Sequence, residues 1–245
     1  MILAASFVIG LVAAFFSSLM GGVAGMIAAP LLLMLGVPPY AAVATPKVGA
    51  LGIALGSLLK FSKKGFVQWS LVPGLIVLAA IAGLVGAYTL LATPEYILEN
   101  IVGVLLLLCV VLLWSKKDMG VISFAVSTVR KSIGYIIYFF TETFRAGFGS
   151  GFGMLTGTVL TYFFGLTTLQ STATKRIPGV VVTGVALIVF LPAGVIDIPI
   201  GIALFFGSIV GSYLGTHYAI VLGNKWAKYL FTVFAVIMAS ALLLF

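Results

Sequence analysis

Charge is what this sequence lacks most. Of its 245 residues only 7% are charged, with thirteen Lys and Arg against five Asp and Glu. An ordinary soluble domain has about 25% charged residues. Hydrophobic residues make up 62% of the chain, and a water-exposed surface cannot be built from the remainder. This excludes a soluble enzyme, a nucleic-acid-binding domain and a disordered segment. One cysteine, Cys109, permits no intramolecular disulfide and no thiolate cluster. One histidine, His217, permits no histidine-based metal site. No GxSxG elbow, P-loop lysine motif or carboxylate pair within one apolar segment is present. No cofactor, metal or nucleic-acid partner is expected, and no enzymatic activity is expected.

What is there is apolar sequence in long runs. A membrane helix needs about 20 such residues. The runs divide into ten helical pieces, at about 2–19, 24–36, 40–61, 68–92, 96–115, 121–147, 152–165, 168–191, 196–222 and 225–245. The fold class is an all-α polytopic membrane protein in the cell (inner) membrane. Residues 1–19 lack a positive leader and read as part of the mature fold. Two pieces, 24–36 and 152–165, are short for a crossing. They follow the glycine breaks Gly21-Gly22-Val23-Ala24-Gly25 and Gly147-Phe148-Gly149-Ser150-Gly151-Phe152-Gly153, so short or re-entrant helices are expected there. Trp69, Trp114 and Trp226 lie at segment ends, as interfacial aromatic belts require.

A constant shift of 129 residues superposes the two halves without a gap over about 70 residues. It aligns Gly22 with Gly151, Gly36 with Gly165, Ala44-Thr45 with Ala173-Thr174, and Lys47 with Arg176. Lys60, Lys63 and Lys64 mark one loop as cytoplasmic, whereas the matching loop near 191–197 has no Lys or Arg. The next loop reverses this bias: 92–95 carries only Glu95, and 223–228 carries Lys225 and Lys228. The organisation expected is two repeats of opposite orientation, 1–118 and 119–245, with about five helical segments each. Both termini then lie outside. The glycines of 74–86 and 201–215 read as helix-packing positions.

Five charges fall inside apolar segments: Lys47, Glu142, Arg145, Lys175 and Arg176. Each costs about 2.5–3.5 kcal/mol near the bilayer centre even on a lenient scale, so each must face protein or water. Lys47 and Arg176 lie about eight residues into their helices, whose starts are suited by Pro38-Pro39 and Thr167-Thr168. That places both cations roughly 12 Å deep in a core about 30 Å thick. Pro46 is expected to kink its helix. The breaks at Gly21-Gly22 and Gly149-Ser150-Gly151 supply two helix N-termini inside the membrane, which favour anions. Thr45, Thr174, Gln170 and Ser171 can donate to an anion's oxygens. Lys175 either contacts the substrate or snorkels to a headgroup. Glu142 and Arg145, spaced i, i+3, either pair with each other or line the pathway. His217 is either interfacial or a proton carrier. The expected partners are a small anion, the lipid bilayer and, under one reading, a coupling proton; the sequence leaves the oligomer open.

Residues 21–45, from Gly21-Gly22-Val23-Ala24-Gly25 through Pro30 and Pro38-Pro39 to Ala44-Thr45, resemble the first signature of the sulfite exporter TauE/SafE family. Gly149 to Arg176 resembles its repeated copy, and the resemblance covers essentially the whole chain. It implies a permease, usually an exporter, for sulfite, sulfoacetate and related organosulfonates. The sulfur comes from the resemblance alone; the residues themselves point to a small oxyanion. An anion channel, or a permease for another oxyanion or a carboxylate, is the alternative.

Overall fold

The computed structural model describes residues 2–92, 120–148 and 152–244. Among these the regular elements are helices. The first half contains α1 (Ile2–Met20), α2 (Ala24–Met34), α3 (Pro39–Ala44), α4 (Pro46–Phe61) and α5 (Val72–Ala92), with a 3₁₀ turn at Ser62–Lys64. The second contains α6 (Thr128–Phe148), α7 (Gly153–Phe164), α8 (Thr168–Thr174), α9 (Arg176–Phe190) and α10 (Ile198–Leu244). Among the described residues five stretches are long and apolar enough to cross a membrane: Ile2–Leu19, Tyr40–Lys64, Val72–Thr89, Thr168–Phe190 and Ile198–Trp226. At 1.5 Å per residue, α2 and α7 are both well short of a bilayer core about 30 Å thick.

Several expected boundaries change. The piece expected at 40–61 is two helices, α3 and α4, parted at Thr45. Pro46 has no N–H to continue α3, and it suits the first position of α4 instead. The piece at 168–191 divides in the same way at Lys175. There Pro178 removes the donor that the Thr174 carbonyl would otherwise receive four residues on. Lys47 and Arg176 therefore sit in the first turns of α4 and α9, not two turns inside a longer helix. Helix α6 begins at Thr128, later than expected. The stretch before it is held to the second half by the Phe124 N–H, which donates to the Gly165 carbonyl at 3.0 Å. The last two expected pieces are two helices that meet without a loop at Gly223, whose φ of 78° and ψ of 179° are non-helical; together they are labelled α10. The piece expected at 96–115, with Cys109 and Trp114, lies outside the described residues.

Packing is crossed between the halves. α1 and α4 both lie along α10, while α6 and α9 both lie along α5. Small residues permit the close approach. Gly207, Gly211 and Gly215 of α10 rest on the backbone of Phe7, Leu11 and Phe15 of α1, where a Cβ has no room. Gly83 meets Val185 of α9, and Gly86 meets the Thr143 carbonyl of α6. The glycines of both stretches thus serve helix packing. One apolar core joins Ile9 and Ala13 of α1, Leu32 of α2, Ile53 of α4 and Leu204 of α10.

Candidate functional site

The site is built where the chain interrupts its helices. α1 ends beside Gly21 and Gly22, whose φ values of 83° and 117° lie in the left-handed region that glycine tolerates. α2 then starts at Ala24 without a side-chain cap. The start of α7 meets this break backbone to backbone: a Cβ added to Gly22 would lie 2.9 Å from the Gly153 Cα. Two uncapped helix N-termini and the tail of α1 thus converge, as the glycine breaks predict.

Lys175, at the step between α8 and α9, is only 4% exposed. Its Nζ donates to the Gly21 carbonyl and, at 2.6 Å, to the Gly153 carbonyl. Neither a free headgroup nor bulk water holds this ammonium; backbone from both halves does. The next residue, Arg176, reaches α1, and its guanidinium donates to the Ser18 hydroxyl at 3.4 Å. Its Nε is buried without a hydrogen-bond partner.

Arg145 approaches from the end of α6. Its Nε donates to the Glu142 carboxylate at 2.9 Å, and its Nη2 lies 2.7 Å from the same oxygen. That second contact is an ion pair without hydrogen-bond geometry, and Nη2 is buried without an acceptor. Glu142 is fully buried, and its other oxygen accepts from the Thr156 hydroxyl at 2.7 Å. Gly179 on α9 leaves room for the guanidinium: a Cβ there would stand 3.1 Å from Nη2. The i, i+3 pair expected from spacing is therefore present.

These groups surround a cavity of about 30 Å³, lined by Ser17, Gly22, Arg145, Gly153, Lys175 and Arg176, with α4 forming a further wall. That volume holds one or two water molecules. Three cationic side chains and one carboxylate meet there. Buried donors without acceptors are uncommon in folded proteins; Arg145 Nη2 and Arg176 Nε are among the few here, and both residues line this cavity.

Of the other residues singled out in the sequence, Lys47 is buried, but its Nζ donates to the carbonyls of Ala146 at 2.6 Å and Gly147 at 3.3 Å. It also lies 5.3 Å from the centre of the Phe190 ring. It caps the tail of α6 and does not line the cavity. The Thr45 hydroxyl accepts from the Asp197 N–H at 3.1 Å, and that of Thr174 from the Gln68 N–H at 3.0 Å. Gln170 completes a capping box with Thr167 at the start of α8, and the Ser171 hydroxyl bonds the Thr168 carbonyl. His217 is exposed on α10 beside a separate cavity. Gly149, Ser150 and Gly151 lie outside the described residues.

The structure thus gathers Gly21, Gly22, Arg145, Lys175, Arg176 and, through Arg145, Glu142. Sequence reasoning missed Ser17, Thr156 and Gly179. Only Gly179 left a trace, as the small residue two after Ile177 in the apolar segment that holds Arg176.

The contacts obey an arithmetic rule. Thr45 holds Asp197, and Thr174 holds Gln68; adding 129 to one partner and subtracting it from the other turns the first pair into the second. The same operation converts Lys47–Gly147 into Arg176–Ser18, and Gly56–Ser212 into Gly83–Val185. Left-handed glycines recur at the same interval, Gly36 with Gly165 and Gly65 with Gly194.

The chain is 27% identical to a probable membrane transporter protein of Sinorhizobium, across 99% of this chain and 92% of that one. It is 23% identical to a probable membrane transporter protein of Haemophilus influenzae, across 98% of this chain and 93% of that one. No solved structure matches it. The family sulfite exporter TauE/SafE matches residues 6–242. With helices that can cross a membrane and a family match spanning almost its whole length, the chain is a multi-pass membrane protein belonging to the sulfite exporter TauE/SafE family.

Proposed function

We propose that this membrane transporter of the sulfite exporter type is a secondary transporter, working as an exporter, of small sulfur-containing anions: sulfite, sulfoacetate or other organosulfonates. Its place is the cell (inner) membrane. The observation that carries the reading is the cavity between the halves, where Arg145, Lys175 and Arg176 meet with Glu142 as the one carboxylate against them. The excess of positive charge suits an oxyanion, and Arg176 can hold two of its oxygens. Lys175 holds the walls together through Gly21 and Gly153. An arriving anion competes with Glu142 for Arg145, and the walls must part to admit it.

Residues 1–118 and 119–245 act as two inverted repeats that exchange conformations as access alternates. The reciprocal contacts support this, because a two-fold relation generates such pairs. In the opposite-facing state Lys47 takes the role that Arg176 has here, and the Thr45 and Thr174 steps serve as the hinges. The glycine breaks, including Gly149-Ser150-Gly151, lend backbone donors to the substrate.

The test is uptake of labelled sulfite and sulfoacetate into proteoliposomes, with and without a pH gradient. Saturable flux that is lost in Arg176→Ala and in Lys175→Ala is the expected result. Flux unchanged in both variants overturns the site. A response to the gradient that disappears in Glu142→Gln or His217→Ala identifies the proton carrier, whereas flux indifferent to the gradient removes proton coupling.

A further inference from the structure

A second cavity, of about 300 Å³, lies apart from the cationic site and is lined by Leu59, Lys60, Lys63, Lys64, Tyr213 and His217. We propose that it binds the headgroup of an anionic phospholipid, with the three lysines on the phosphodiester and the acyl chains along the apolar wall of α4 and α10. The proposal is independent of what the protein transports.

Position argues for a lipid. The span Tyr40–Lys64 ends at these lysines, and Trp69, an interfacial residue type, is exposed just beyond. The cavity therefore sits at headgroup level. Its walls have the two characters a lipid needs. Lys63 and Lys64 are exposed cations, while Leu59 and Tyr213 are exposed on the side of the apolar span. Lys60 is already oriented, its Nζ 4.4 Å from the centre of the Tyr213 ring. His217 adds a ring N–H on the opposite wall.

Asymmetry argues for a purpose beyond folding. The residues 129 positions from Lys60, Lys63, Lys64, Tyr213 and His217 are Val189, Pro192, Ala193, Leu84 and Tyr88. The fold is thus built at the corresponding place without a single cation. The basic pocket lies on the side that the loop lysines assign to the cytoplasm, whose leaflet is the anionic one.

The experiment titrates purified full-length protein with phosphatidylglycerol and, in parallel, with phosphatidylcholine, counting bound lipid by native mass spectrometry. Preferential retention of phosphatidylglycerol is expected. A lysine at an anionic lipid surface contributes about fivefold in affinity, so Lys63→Gln with Lys64→Gln weakens binding about 25-fold. Both side chains are exposed, and Lys60 keeps its place on Tyr213, so this variant keeps the fold; its elution profile verifies that. The paired substitution to arginine retains binding. Equal phosphatidylglycerol affinity in wild type and the glutamine variant overturns the proposal, as does equal affinity for the two lipids. Displacement of bound lipid by millimolar inorganic phosphate also overturns it, because the pocket is then a soluble-anion site.

Discussion

Thr45-Pro46-Lys47 and Thr174-Lys175-Arg176 occupy the same step in the two halves, between a short helix and a long one, and they do different work. In both, the threonine hydroxyl secures a backbone N–H of the other half. In both, the third residue reaches across to the tail of the other half's first helix. The middle residue differs. In the first half it is proline, which makes the break by lacking a donor. In the second it is Lys175, whose ammonium joins Gly21 to Gly153, and the break falls to Pro178 three residues later. With the proline at 178 in the second half, position 175 can carry a charge. The cavity is thus one-sided, with Lys175 and Arg176 lining it and Lys47 excluded.

The comparison is broken most severely at Glu142. Glu142→Leu leaves Arg145 buried without its counterion, and breaking a buried pair costs about 3–5 kcal/mol. Thermal unfolding in detergent should show a large fall in the midpoint, and Glu142→Gln, which still accepts from Thr156, a smaller one. Arg176→Met and Lys47→Met sharpen the contrast directly. Loss of a charge-assisted contact costs about 1.5–3 kcal/mol, so Arg176→Met weakens anion binding roughly 10- to 150-fold by titration calorimetry. Lys47→Met leaves that affinity nearly intact and lowers turnover and stability, because its partners are the carbonyls of Ala146 and Gly147. Equal losses of affinity in the two variants would erase the distinction drawn between the steps. Gly22→Ala probes the contact between the breaks. With φ at 117° and Gly153 against it, the added methyl costs about 1–3 kcal/mol of stability by denaturant titration. The smallest effects belong to Thr45→Val and Thr174→Val. Each loses one neutral hydrogen bond, worth about 1 kcal/mol, and the two midpoints should fall by similar amounts.

Much of the fold could be read from the residues. Long apolar runs require helices in a membrane, and runs of 11–12 helical residues after glycine breaks cannot cross one. The pairing of Glu142 with Arg145 follows from their spacing on one helix. Other features depend on partners far away in sequence. Nothing near Thr45 says that its hydroxyl meets Asp197, and nothing near Lys47 says that it caps α6. Hydrophobicity is blind to the breaks at Thr45 and Lys175, since the apolar pattern runs on through both. Pro46 and Pro178 were the local clues. The break at Gly223 was legible as well, because a glycine opening a charged stretch marks where the apolar pattern is interrupted.

Crossed packing has a consequence for biosynthesis. Of the described helices α1 emerges from the ribosome earliest, yet the one it lies along, α10, emerges latest. At about 5–20 residues per second, the roughly 180 residues between them delay that meeting by about 10–35 s. During this interval the glycine-matched face of α1 has only lipid or a temporary neighbour to cover it. Residues at Phe7, Leu11 and Phe15 therefore have to satisfy two surroundings in turn: acyl chains while the chain is being made, and a glycine ridge once it is finished.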